Sequence, residues 1–301
     1  MKKDVDDYKL NKFQIRSFNE YQEFKKSESE SLSTHWREIE KKKSTSNIPF
    51  VVEGFSYTAK KTVNFQCDYK YSPGFPVVNW RERLVCPITA LNNRTRAAIH
   101  LIDLIFNIKE DEEIYIMEQV TPLFRFLKNK YKNLIGSEYL GEATPLGLTS
   151  KNGIRNEDAT CLTFASNSLD LILSFDVFEH VPDYKLAFAE CFRVLKDGGH
   201  IFFSVPFALL SEDNIIRATV DNANIVTHIL PPIFHGDPMN SQEGVLCFQE
   251  FGWALLDDLL EIGFTDAYAL IYWSSDFGYF GSQIQFIASK NLSKKILSLE
   301  S

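Results

Sequence analysis

The chain has no uninterrupted apolar stretch approaching the roughly 18 residues that a membrane-spanning helix requires. Its first residues, MKKDVDDYKLNKF, also lack the apolar core of a secretion signal. A cytoplasmic location without a membrane partner is therefore expected. Positive charge is short as well, since 32 Lys and Arg stand against 40 Asp and Glu, for a formal charge of −8. Binding driven by nucleic-acid phosphates needs clustered cations, so no nucleic-acid partner is expected; a small uncharged or positively charged molecule suits the balance better. The five cysteines (Cys67, Cys86, Cys161, Cys191, Cys247) are odd in number, scattered and never spaced CxxC. That pattern leaves neither a disulfide framework nor a complete zinc site, and no metal is expected. Nothing reads GxGxxG after a strand-like segment, which counts against a nicotinamide dehydrogenase.

What is present is a core-forming composition: 301 residues, 45% hydrophobic, with 25 phenylalanines. Residues 1–47 are rich in Lys, Glu, Ser and Asp and read as a charged lead-in, either a solvated helix or a mobile tail. Residues 48–90 mix short β-prone pieces with turn signals and read as a small cap. From residue 91 to 290 short apolar strands alternate with amphipathic helices, the pattern of a doubly wound α/β sheet, and residues 291–301 form a tail. Helical spacing places Ala97, Leu101 and Ile105 on one face.

Within that domain EEIYIMEQ is a strand, and Thr121-Pro122 opens a helix with a capping hydroxyl and a proline at the first position. NLIGSEY is a second strand, IRNEDAT holds a short third, and SLDLILSFD is a buried fourth. A helix follows on Tyr184, Ala187, Phe188, Cys191 and Leu195, ended by Gly198-Gly199. HIFFSVPF, the helix FGWALLDDLLEIG, DAYALIYW and SQIQFIAS complete the series. The long connection 208–248 follows the fifth strand and so falls beside the crevice at the strands' carboxyl ends. It carries His228, His235, Asp237 and Glu243.

Glu118 and Glu138 lie 20 residues apart, matching the separation of about 20 between a first strand's loop and a ribose-binding carboxylate in doubly wound sheets. Glu138 either plays that part or simply ends an exposed strand. Downstream, Asp158, Leu162, Phe164, Ser168, Asp170, Glu179, His180, Val181, Arg193, Leu195, Lys196, Gly198 and Gly199 fall in one ordered pattern.

That ordered text closely resembles the class I S-adenosylmethionine-dependent methyltransferases with a type 11-like domain, over roughly residues 112–207. The resemblance implies a Rossmann-like seven-stranded sheet, mostly parallel with an antiparallel last strand, and S-adenosylmethionine as cofactor. It implies Glu138, with Tyr139 beside it, at the ribose, and Asp158 with the Ala159 N–H at adenine. Phe175 and Asp176 would lie near the methionine part, Phe175 being equally suited to a plain core role. The chain departs from the family in its first loop, where Glu118-Gln119-Val120-Thr121-Pro122 stands in place of a glycine-rich run. Glycines there permit positive φ and close backbone approach. Glu118 keeps the acidic position that reaches the methionine ammonium, while Gln119 and Thr121 bring polar side chains. E-Q-V-T-P followed by S-E-Y-L is similar to a subgroup of these proteins.

Upstream, NWRERLVCPITALNNRTRA resembles a segment that precedes some such domains, in which a cysteine pair belongs to a zinc knuckle. Here Thr89 stands where the partner of Cys86 is expected, so zinc would lack its usual four N/S ligands. Arg94 and Arg96 are either substrate or lid contacts or solvated helix residues; Arg94 and Asp237 are the candidate substrate contacts. The expected reaction is methyl transfer to an oxygen or nitrogen of a small-molecule or sugar-containing acceptor. His180 and His235 are the candidate bases, because a base should have a pKa near working pH. The alternative is a binding or scaffold protein that keeps the fold without the chemistry. The acceptor and the oligomeric state stay open.

Overall fold

The computed structural model describes residues 7–26, 30–221, 223–236, 239 and 244–291. In chain order come β1 (Asn11–Ile15), α1 (Phe18–Phe24), α2 (Glu30–Lys43), β2 (Phe50–Ser56), β3 (Lys61–Cys67) and α3 (Asn93–Phe106). Next are β4 (Ile114–Ile116), α4 (Pro122–Lys130), β5 (Leu134–Gly136), β6 (Leu169–Phe175), α5 (Tyr184–Val194) and β7 (Leu195–Ser204). Six short strands follow: β8 (Ile215–Ile216), β9 (Ala218–Val220), β10 (Val226–His228), β11 (Phe234–His235), β12 (Val245–Leu246) and β13 (Gln249–Glu250). The series ends with α6 (Ala254–Ile262), β14 (Asp266–Ser274) and β15 (Tyr279–Ser289). The chain divides into two compact units, one drawn from Met1–Ile15, Asn19–Ile108 and Leu270–Gln285, the other from Arg16–Phe18, Lys109–Ala269 and Phe286–Ser301.

A seven-stranded sheet has the order β1-β14-β15-β7-β6-β4-β5. Strands β5, β4, β6 and β7 run parallel, and β15 lies antiparallel to β7. This is the expected Rossmann-like arrangement, mostly parallel at its centre with an antiparallel last strand. Its parallel strands bury both faces, as Ile114, Tyr115 and Ile116 of β4 and Leu171, Ile172 and Leu173 of β6 show. Thr121 caps α4 by accepting from the Phe124 N–H at 3.1 Å, with Pro122 at the first position. Asp183 caps α5 through the Leu186 N–H at 3.0 Å.

The count of seven is reached differently from expectation. IRNEDAT forms no strand of this sheet; it contributes only isolated bridges, Glu138 to Asn156 among them. The seventh strand is β1, from the segment expected to be a charged lead-in. Part of that segment packs, with Ile15 of β1 and Trp36 of α2 buried. In the first unit the Trp36 ring of α2 stacks on Trp273 at 5.0 Å, and Glu40 accepts from Trp273 Nε1 at 3.0 Å. A second difference concerns Leu195, expected on the helix face. Helix α5 ends at Val194, and Leu195 begins β7, which runs on through Gly198-Gly199. Within 208–248 the described residues form small two-stranded pairs, β9 with β10 and β11 with β12.

Also in the first unit, the knuckle-like loop carries Cys86 near Ser56 Oγ at 3.4 Å, while Thr89 and Thr58 exchange a hydroxyl contact at 3.3 Å. One thiol among hydroxyls is not a zinc donor set. Arg96 is no substrate contact in this unit but a fully buried one. Its guanidinium donates to the carbonyls of Phe277, Leu84 and Gly278 at 2.9 to 3.2 Å and lies over the Phe65 ring at 3.7 Å. Burial lowers its pKa to about 10, so the charge is held by carbonyl dipoles.

Arg96→Leu strips three buried carbonyls of their donor and should cost on the order of 3 kcal/mol, read as a lower urea midpoint. His100, stacked on Tyr57 at 3.9 Å, has its pKa lowered to about 4 by burial. Its neutral folded form binds fewer protons than the unfolded chain between that value and the ordinary 6.5, so stability falls as pH drops through this window. His100→Phe keeps the ring and should flatten that slope; an unchanged slope would contradict the assignment.

Candidate active site

Four acidic residues stand at or just beyond the carboxyl ends of the second unit's central strands: Glu118 after β4, Glu138 after β5, Asp158 beyond the bridge at Asn156, and Asp176 after β6. In open α/β sheets this edge is where ligands bind. Gly136, two residues before Glu138, is needed for close approach, because a Cβ there would sit 2.6 Å from the Glu118 carbonyl oxygen.

The glycine-free loop is held by side chains. Glu138 Oε1 accepts from the Gln119 N–H at 2.6 Å and the Val120 N–H at 3.0 Å. The Gln119 carboxamide donates to Gly153 O at 2.8 Å and accepts from the Arg155 N–H at 2.9 Å. Both polar ends of Gln119 therefore brace the neighbouring loop, and the Thr121 oxygen is engaged in its cap. Backbone bonds Glu138 N to Arg155 O, 3.0 Å, and Glu157 N to Glu138 O, 3.1 Å, align the segment that leads to Asp158.

Asp158 Oδ1 accepts from the N–H and hydroxyl of Thr160 at 2.8 and 2.7 Å, a local turn that fixes its rotamer. Ala159 is partly buried beside it. Much of the ordered pattern around these residues is structural. Arg193 donates to Phe164 O and Leu162 O and pairs with Glu190, pinning the 162–164 loop to α5. Lys196 pairs with Asp170 at 2.6 Å.

Phe175 packs edge-on against Phe202 at 5.9 Å. Asp176 takes a positive φ of 58° and is clamped to the next strand: its N–H donates to Ser204 O at 2.9 Å, and its Oδ1 accepts from Ser204 Oγ at 2.8 Å. Such strain at a strand end marks a place where position is enforced by the surroundings.

The two candidate bases come together although 55 residues separate them. The rings of His180 and His235 meet edge-on at 5.0 Å. Between them lies Glu179, fully buried, with Oε1 3.4 Å from His235 Nδ1 and 3.7 Å from His180 Nε2. Burial pushes the Glu179 carboxyl above the ordinary range; His235 opposes the shift and the charge of Asp176 adds to it. His180 Nδ1 is 2.8 Å from Leu246 O. A carbonyl only accepts, so Nδ1 carries a proton, and Nε2 faces Glu179. Sequence reasoning placed Glu179 in the pattern without giving it a role. The signal was the Glu-His pair itself, which becomes chemical only once His235 arrives.

Tyr139 is 67% exposed. Arg94 belongs to the first unit and pairs with Glu82 at 2.8 Å. Asp237 and Glu243 lie outside the described residues. No helix among the described residues is long and apolar enough to cross a membrane.

The fold is a Rossmann-like α/β sheet with acidic residues at its strand ends. Residues 123–203 match the family described as "Methyltransferase domain". Among solved structures the chain is similar to an S-adenosylmethionine-dependent methyltransferase from Methanosarcina mazei, 18% identical over 63% of this chain and 98% of that one, TM-score 0.38. It is also similar to one from Mesorhizobium loti, 19% identical over 57% and 85%, TM-score 0.36. A third is the Haemonchus contortus phosphoethanolamine N-methyltransferase 2 in complex with phosphomonomethylethanolamine and S-adenosylhomocysteine, 14% identical over 57% and 38%, TM-score 0.35. No curated protein matches the chain.

If Glu138 fixes the loop, Glu138→Ala should raise amide hydrogen exchange at Gln119 and Val120 by about tenfold, the worth of a charged hydrogen bond. Exchange unchanged at both amides would show that the loop holds its shape without the carboxylate.

Proposed function

We propose that the chain is an S-adenosylmethionine-dependent methyltransferase acting on an oxygen or nitrogen of a small-molecule acceptor, sugar-containing acceptors included. The observation that carries this reading is the set of carboxylates from Glu118, Glu138 and Asp158 at the ends of adjoining segments of one parallel sheet. Their donor chemistry fits the cofactor. Glu118 receives an ammonium group. Glu138 spends Oε1 on two loop amides, and a carboxylate has about four lone-pair sites, which leaves capacity for ribose hydroxyls. Asp158 beside the Ala159 N–H matches the donor and acceptor edge of adenine. Phe175 and Asp176 border the methionine end, with Tyr139, Gln119 and Thr121 completing the surround.

The cofactor, when bound, supplies a methyl group already activated on a sulfonium, so the protein's task is alignment and exclusion of water. For an acceptor that must lose a proton, His235 or His180 takes it, and Glu179 steadies the imidazolium that results. Asp237 remains a proposed acceptor contact.

A second reading, a binding protein with this fold and no transfer chemistry, is favoured by one observation: the Gln119 and Val120 amides that open the loop are committed to Glu138. Calorimetric titration with S-adenosylmethionine and S-adenosylhomocysteine separates the cases. Saturable binding of both is expected, and Asp158→Ala should weaken it by about 10- to 100-fold. Absence of heat with either ligand in folded protein would overturn the cofactor assignment. Binding without turnover over a panel of hydroxyl and amine acceptors would select the second reading.

A further inference from the structure

Neither carboxylate oxygen of Glu179 makes a hydrogen bond of ordinary geometry, its nearest side-chain partner His235 Nδ1 standing at 3.4 Å, and the side chain is wholly buried. Such a group is costly unless something compensates it. Its nearest polar neighbours are His235 Nδ1 and His180 Nε2, and one donor atom from each of the three residues lies within 4.8 Å of the others. His180 donates from Nδ1 to Leu246 O and turns Nε2 inward. Two imidazole nitrogens converging on a buried carboxylate call for a shared proton or a cation.

The spacing accommodates a cation. Ligands bonded to a tetrahedral ion at about 2.0–2.2 Å lie about 3.4 Å from one another, and the observed separations are 3.4 Å and 3.7 Å. The surrounding bonds are those that orient metal ligands, where a histidine's other ring nitrogen donates to a carbonyl. One hairpin supplies several of them: β11 brings His235, β12 brings the Leu246 carbonyl, and the Phe248 N–H donates to Glu179 O at 2.7 Å. Gly244, at φ 71°, admits the turn into β12, since any Cβ there would run into the His235 carbonyl oxygen. The nearby charge of Asp176 adds negative potential.

We propose that Glu179, His180 and His235 form a binding site for a divalent transition-metal ion. Two imidazoles and one carboxylate suit zinc, cobalt(II) or iron(II) over magnesium or calcium, and three protein ligands leave a position for an exchangeable oxygen ligand. The sequence expectation named no metal because these donors come together only in the fold. The site stands independently of the cofactor reading; with the ion bound, these imidazoles serve as ligands in place of the base role.

The test needs no methyl donor. Full-length protein, stripped by chelator and dialysed, is titrated with zinc(II) and with cobalt(II). One ion per chain is expected, with visible ligand-field absorption for cobalt. His235→Ala, at a side chain 34% exposed on the hairpin, should keep its circular dichroism and lose affinity by at least about 100-fold. Glu179→Gln should do the same; should it fail to fold, His235→Ala decides. A stripped wild-type protein that takes up neither ion, or a His235→Ala protein with unchanged affinity, overturns the proposal.

Discussion

A turn between β4 and α4 has to be made without a single glycine, and one carboxylate oxygen makes it possible. By accepting the first two loop amides, Glu138 ties the end of β5 to the end of β4. Gln119 extends the tie to residues 153 and 155, and from there backbone bonds carry the alignment to Asp158. Glu118, Glu138 and Asp158 are therefore positioned through this contact or adjacent to it, while Asp176 is held separately by Ser204. Where glycine lets a backbone approach a ligand by having nothing in the way, this chain fixes its backbone by side-chain bracing. The loop gains rigidity and spends hydrogen-bonding capacity.

The parallel centre of the sheet was legible in the sequence because its strands are apolar on both faces and its helices carry local caps. Thr121, Pro122 and Asp183 act within a few residues of themselves, so periodicity and capping rules reach them. Strand β1 was not legible, since its five residues NKFQI sit among charges and bury mainly Ile15; pairing beside β14, more than 250 positions away, has no local signature. IRNEDAT failed in the opposite sense. It looks strand-like, yet the Asn156 side chain is drawn into the neighbouring turn, accepting from the Leu140 N–H at 2.7 Å, and only isolated bridges form.

The long ordered pattern between Asp158 and Gly199 turned out to say more about architecture than about chemistry. Arg193, Lys196 and Asp170 are spent on pinning loops and strand ends, so their recurrence in a resembling text follows from packing. Glu179 and His180 differ. They lie in a single 3₁₀ turn, Phe178–His180, right after β6, and no packing need explains a buried carboxylate between two imidazoles. Their meaning depends on His235, delivered by a hairpin within a connection whose sequence gives little sign of regular structure.

Strand β1 also has a practical bearing on handling the protein. It takes the outermost place in the sheet, next to β14, whose long apolar backbone would otherwise present a row of open amides and carbonyls. Trimming the molecule to its recognisable catalytic-looking core would bare that row to any other chain in solution. Shortened versions that begin after Ile15 are thus set up for edge-to-edge self-association, for a reason unrelated to the stability of the core they retain.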